Sequence, residues 1–216
     1  MLCVVSMLVS ACGGNGEKKA DEKAVVTKYG KCGRMTRYEV TESFCARMNL
    51  PVTAFSLYYP EIMITDPPEE GKQNSHYNYF LLLDTNNIQT EAMSLGYCTV
   101  QRNTVLKDQL SIELLEDIKR IYEEWGFEFS EAFIGNETFD GKDYYQFHAL
   151  GHINLPENEL SGEYLVLSLI VEPPHDNMNG LFVIMLANQD SEIRTFGDFA
   201  RKGCISDIWK SLEFPE

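Results

Sequence analysis

Leu165-Val166-Leu167-Ser168-Leu169-Ile170-Val171 and Phe182-Val183-Ile184-Met185-Leu186 are apolar at nearly every position. A strand with one wet face alternates polar and apolar residues, whereas a strand without alternation is covered on both faces. Pro173, Pro174 and the pair Asn179-Gly180 lie between the two runs and mark a turn region. The segments Glu163 to Glu172 and Leu181 to Asn188 therefore read as paired strands at the centre of an antiparallel sheet.

Working outward, Phe127 to Phe139 and Tyr144 to Ile153 flank Asp140-Gly141. Asp-Gly tolerates the positive φ angles of a tight hairpin turn, so this is a second pair of strands. Upstream, Leu114, Ile118, Ile121 and Trp125 recur at spacings of four and three, with Leu110, Leu115 and Tyr122 widening the stripe. That is the period of an amphipathic helix, and Gly126 stops it. At the C-terminus, Phe196, Phe199 and Ala200 make a short turn broken by Gly203. Ile205, Ile208, Trp209 and Leu212 then predict a second amphipathic helix. Residues 37–48, 53–64, 77–84 and 90–101 read as further strands. Pro60 marks an edge or an end of the second, and residues 66–75 form a loop. The fold class expected is α+β: a mostly antiparallel β-sheet with helices packed on both faces, in one domain spanning residues 30–216.

The N-terminus carries a different signal. A short apolar run, Leu2 to Ala11, ends in Val9-Ser10-Ala11-Cys12-Gly13. An aliphatic residue, two small residues and a cysteine resemble the lipobox of bacterial lipoproteins. Small side chains admit the signal peptidase, and the Cys12 thiol takes the lipid. The resemblance implies a leader over residues 1–11 and an acylated Cys12 held in a lipid bilayer. Met1 to Met7 lacks the Lys or Arg with which such leaders usually open. Residues 12–29 begin Cys12-Gly13-Gly14-Asn15-Gly16 and continue with alternating charge, the composition of a flexible tether. Gly13 follows the cysteine where an Asp is the usual inner-membrane retention signal. The expected address is the bacterial cell envelope, on the outer membrane where one exists.

The chain of 216 residues holds 33 Asp and Glu against 18 Lys and Arg, a formal net charge of −15. Such a surface repels phosphate backbones, so nucleic acid is not an expected partner. Of the six cysteines, Cys3 leaves with the leader and Cys12 is lipidated. Cys32, Cys45, Cys98 and Cys204 remain as possible disulfide partners. Four cysteines allow three full pairings, and the sequence does not choose among them. Cys32 and Cys45 could close a small loop, and Cys98 or Cys204 could equally be a buried free thiol. No Cys-x-x-Cys is present.

The four histidines are His76, His148, His152 and His175. His148 and His152 have the i, i+4 spacing of a helical metal pair, but they fall on a predicted strand. Four strand residues span about 13 Å, too far for one ion. His175-Asp176-Asn177 reads as a polar turn. Neither a Gly-x-Ser-x-Gly elbow nor a His-Glu-x-x-His helix occurs. No catalytic residue, metal ligand or cofactor is expected.

The second half has a recognisable order. A long helix leads into Gly126-Phe127 and a hairpin carrying Gly141, Tyr144, Tyr145 and Phe147. Two apolar strands follow, ending in Met185-Leu186-Ala187-Asn188. The chain closes on Ile205-Ser206-Asp207-Ile208-Trp209-Lys210-Ser211-Leu212-Glu213-Phe214. Over residues 53–214 this order resembles PsbP-like proteins. The resemblance implies an α/β/α sandwich and a non-enzymatic accessory or binding role, with a protein partner or small ligand. The competing expectation is a hydrolase or metal-dependent enzyme that uses His148, His152 or His175 with nearby carboxylates.

Overall fold

The computed structural model describes residues 28–99, 107–155, 160–174 and 179–215. The leader, Cys12, nearly all of the tether and His175 lie outside the described residues. The elements run β1 (Lys28–Gly30), β2 (Gly33–Val40), α1 (Glu42–Met48), β3 (Phe55–Pro60), β4 (Ile64–Thr65), β5 (His76–Leu83) and β6 (Gln89–Thr99). Then come α2 (Lys107–Glu124), β7 (Glu128–Phe139), β8 (Lys142–Leu155), β9 (Leu160–Val171), β10 (Asn179–Asn188), a 3-10 turn (Phe196–Ala200) and α3 (Ile205–Ser211). Lys28 and Tyr29, expected at the end of the tether, already belong to β1.

The large sheet has seven strands in the order β4-β5-β6-β10-β9-β8-β7, and every pairing in it is antiparallel. The doubly apolar runs are β9 and β10, and β10 is the middle strand. Their alternation now has two addresses. Leu167, Leu169, Val183 and Met185 point into one core; Val166, Ile170, Phe182 and Ile184 point into the other. Burying a side chain of this size contributes about 1.5–3 kcal/mol, which is why a strand apolar on both sides settles mid-sheet.

The two covers differ. On one face α2 lays Leu115, Ile118 and Tyr122 against the sheet, with Leu114, Ile121 and Trp125 at the flank. Gly126, at φ 100°, ends the helix, and the Phe127 N–H donates back to the Tyr122 carbonyl. On the other face the expected helical layer is not what covers the sheet. A second sheet, β1-β2-β3, supplies Val40, Phe55 and Leu57, and only short helices join it: Cys45 from α1, and Ile205, Ile208 and Trp209 from α3. Short amphipathic pieces bury too little to form a layer alone, so the small sheet completes the cover.

The strand expected over residues 37–48 is corrected. It stops at Val40, and α1 takes over. The Thr41 hydroxyl caps the helix by accepting from the Phe44 N–H at 3.1 Å. Asn49 closes it in the left-handed region at φ 53°. Both are ordinary capping residues, and Glu42 and Arg47 suit the two ends of the helix dipole. The strand expected over residues 53–64 breaks after Pro60 into β3 and the two-residue β4. The β7–β8 turn follows its sequence: Asp140 and Gly141 sit at φ 49° and 80°, the signs a primed two-residue turn requires.

One covalent bond joins the ends of the domain. Cys32, in the β1–β2 turn, is bonded to Cys204 at the start of α3, 172 residues away. Cys45 and Cys98 are buried and stand outside the disulfide, so the small Cys32–Cys45 loop does not form. Cys45 lies inside α1 in the core, away from the turn that holds Cys32. The hairpin turn is also seated non-covalently. The Lys31 N–H donates to Asp207 Oδ2 at 2.6 Å, and Lys31 Nζ donates to the Arg201 carbonyl. A Cβ on Gly30 would run into the Asp207 carboxylate. A disulfide that closes so long a loop removes much freedom from the unfolded chain. Cys32→Ser and Cys204→Ser are each expected to lower unfolding free energy by about 2–5 kcal/mol. Urea denaturation of wild type with and without reductant, beside the two variants, checks this; reduced wild type should match them.

Candidate functional site

The three described histidines do not converge. β8 places His148 and His152 on one face, four residues apart, and each turns to a different neighbouring strand. His152 Nδ1 lies 2.8 Å from Glu163 Oε1, its direct partner on β9. His148 leans toward β7, with Nδ1 3.7 Å from Glu137 Oε2. His76 opens β5 and turns away from the other two, its Nε2 3.1 Å from the Asp66 carbonyl. Among the described residues no three His, Cys, Asp or Glu side chains are grouped to hold a metal ion.

His148 has the most specific surroundings of the three. Its ring is stacked between Phe133 of β7, at 4.9 Å and 20°, and Phe196 of the 3-10 turn, at 4.3 Å and 31°. Gln146 Nε2, two residues before it on the same face, donates to Glu137 Oε2 at 3.2 Å. Burial between the rings pushes the imidazole pKa down, and the nearby Glu137 carboxylate opposes that only in part. The pair is held in place by packing, and the imidazole is set to be neutral.

A second group went unnoticed in the sequence. Glu91 of β6 is 3% exposed. Its Oε1 accepts from Ser191 Oγ at 2.9 Å. Its Oε2 accepts from the backbone N–H groups of Cys204 and Ile205, at 2.8 and 3.1 Å. These are free amides at the start of α3, where an anion is favoured. Burial pushes the Glu91 carboxyl above the usual range, against the pull of those three hydrogen bonds. The arrangement is a clamp on the C-terminal segment. The sequence signal for it is one carboxylate inside an otherwise buried strand, Ala92-Met93-Ser94-Leu95 following directly.

Other polar groups stitch the same segment down. Trp209 Nε1 donates to Asp140 Oδ2 at 2.9 Å, so Asp140 serves α3 as well as its own turn. The Ser211 hydroxyl accepts from the Tyr58 N–H and donates to the Tyr58 carbonyl of β3. By contrast, the hydroxyls of Ser94 and Ser168 are buried without a partner. Both sit directly opposite Ile184, from β6 and from β9.

The β7 edge carries exposed acidic residues and no basic ones. β7 reads Glu128-Phe129-Ser130-Glu131-Ala132-Phe133-Ile134-Gly135-Asn136-Glu137-Thr138-Phe139, with three Glu and no Lys or Arg. Among the described residues it pairs with β8 on one side only. The described helices include none long and apolar enough to cross a membrane.

No family model matches the chain, and no curated protein matches it. The chain is similar to the solution structure of cyanobacterial PsbP (CyanoP) from Synechocystis sp., with 13% identity and a TM-score of 0.48, over 96% of this chain and 99% of that one. It is also similar to the crystal structure of the Saccharomyces cerevisiae Ran-binding protein Mog1p, with 8% identity and a TM-score of 0.44, over 83% of this chain and 96% of that one. Neither structure transfers a residue role to this chain.

Two outcomes follow from these geometries. The folded pKa of His148 lies below its unfolded value of about 6.5. The fold therefore binds this proton less readily than the unfolded chain, and stability drops as pH falls below about 6.5 toward the folded value. His148→Leu should flatten that part of a plot of urea midpoint against pH; an unchanged slope would show that other groups govern it. Glu91→Ala leaves two buried N–H groups without acceptors and should cost about 2–4 kcal/mol, whereas Ser168→Ala, which removes an unpaired hydroxyl, should be neutral or stabilising. Thermal and urea unfolding of the two variants separate these effects.

Proposed function

We propose that this chain is a lipid-anchored lipoprotein of the bacterial cell envelope that works as a non-enzymatic binding or accessory protein. The observation that carries the reading is Val9-Ser10-Ala11-Cys12-Gly13. Its side chains meet the needs of cleavage and acylation one by one, and acyl chains hold a protein at a bilayer without a spanning helix. Gly13 in place of Asp favours the outer membrane. The tether then sets the domain off the surface.

Two further observations support it. The Cys32–Cys204 disulfide suits an oxidising compartment outside the cytoplasm. The order of elements over residues 53–214, which resembles PsbP-like proteins in the sequence, favours a binding role over catalysis. The hydrolase reading would need histidines and carboxylates aimed at a common point. His148 and His152 instead form separate pairs with Glu137 and Glu163, on strands to either side.

Cys12→Ala is expected to shift the protein from the membrane pellet to an unprocessed or soluble form, with loss of radiolabelled palmitate incorporation. Membrane fractionation and acyl labelling of wild type and variant read this directly. A variant that still pellets and still takes up palmitate would defeat the anchoring proposal.

A further inference from the structure

The two edges of the large sheet are treated differently. β4 closes one edge with two residues, too short to template another strand. β7 leaves the other edge open over twelve residues and, among the described residues, pairs only with β8. Exposed edges are commonly blunted by brevity, proline, charge or a bulge; β7 is long and lacks lysine and proline, and its charges are all acidic. Its one irregularity is a bulge after Ser130, with Glu131 at φ 51°. From Phe133 to Phe139 the pairing with β8 is continuous.

The register shows which side chains the edge presents. Glu128, Phe133 and Glu137 stand opposite His152, His148 and Tyr144 of β8, so all three share the face away from α2. Phe133 is 37% exposed, and its ring lies over Gly135, where a side chain would collide with it. The β7–β8 hairpin, through its turn, carries Glu128, Glu131, Glu137, Asp140 and Asp143 against Lys142 alone. A second copy of the chain would bring the same acidic strand to this edge, on a molecule of net charge −15. Charge complementarity selects a basic occupant.

We infer that β7 is a docking edge for an extended, basic segment of a partner protein, which adds to the sheet as a further strand. Backbone hydrogen bonds along residues 133–139 would supply the pairing. Alternate side chains of the segment would supply the specificity, with Lys or Arg at Glu128 and Glu137 and an apolar residue over Phe133. The inference deepens the reading of the chain as a binding protein and rests on it.

The test uses the full chain in neutral detergent. The probes are two ten-residue peptides of alternating valine and threonine, one with lysine near each end and one with glutamate there. The lysine peptide is expected to bind at least tenfold more tightly at low salt, to weaken as salt rises, and to slow amide hydrogen exchange within residues 133–139. Glu128→Lys/Glu137→Lys should reverse the preference. The control Glu70→Lys/Glu116→Lys changes net charge equally at sites off the hairpin and should leave the preference in place. Equal binding of both peptides, protection elsewhere than β7, or a control that loses the preference equally would overturn the inference. So would a dimer in sedimentation that Glu128→Lys/Glu137→Lys strengthens. The anchoring of Cys12→Ala is read separately, so failure at β7 with a normal lipid anchor removes this inference and leaves the accessory role standing.

Discussion

The buried carboxylate of Glu91 joins the C-terminal segment to the large sheet. It sits near the start of β6 and accepts from the first amides of α3 and from the Ser191 hydroxyl. An anion in an apolar interior is costly unless its hydrogen bonds are met. Here the helix start supplies donors that would otherwise be orphaned, so two unfavourable groups offset each other. Because α3 is only seven residues long, it has little helical stability of its own. Its place depends on the Glu91 contact, the Trp209–Asp140 bond, the Ser211–Tyr58 bonds and its own buried Ile205 and Ile208.

Much of the second face follows from that seating. α3 lies beside β3 of the small sheet, and the Cys32–Cys204 disulfide fastens the β1–β2 turn at the same corner. The entry of the domain from the tether and its last helix are therefore tied at one place. A domain proposed to hang from an acylated Cys12 carries any pull on its N-terminal end into this corner first. Glu91, the disulfide and the Lys31 contacts all meet there.

The acidic surface and the open edge belong together in the same way. A net charge of −15 keeps like molecules apart. That repulsion lets a chain carry a long edge strand that would be an aggregation hazard in a neutral protein. Phe133 shows the local version: it is exposed at the edge, yet fixed against His148 and Gly135 by stacking and close packing. The His148 ring, held between Phe133 and Phe196, places a titratable group directly behind the edge.

The sequence by itself determined the features that rest on local periodicity and local chemistry. The unalternating runs at residues 165–171 and 182–186 could only be central strands, the 114–125 stripe could only be a helix on a flat apolar face, and Asp140-Gly141 could only be a tight turn. The proposed lipobox rests on local chemistry of the same kind, within five consecutive residues. Tertiary structure decided whatever depends on residues far apart in the chain. The capped helix α1 replaced a strand because Thr41 and Asn49 outweigh the aromatic and β-branched residues around them. Four cysteines became one disulfide because the β1–β2 turn meets α3 across 172 residues. The second face went to a small sheet because short helices could not cover it. Glu91 is a clamp only because α3 lies over it, and the spacing of residues in neither segment announces that contact.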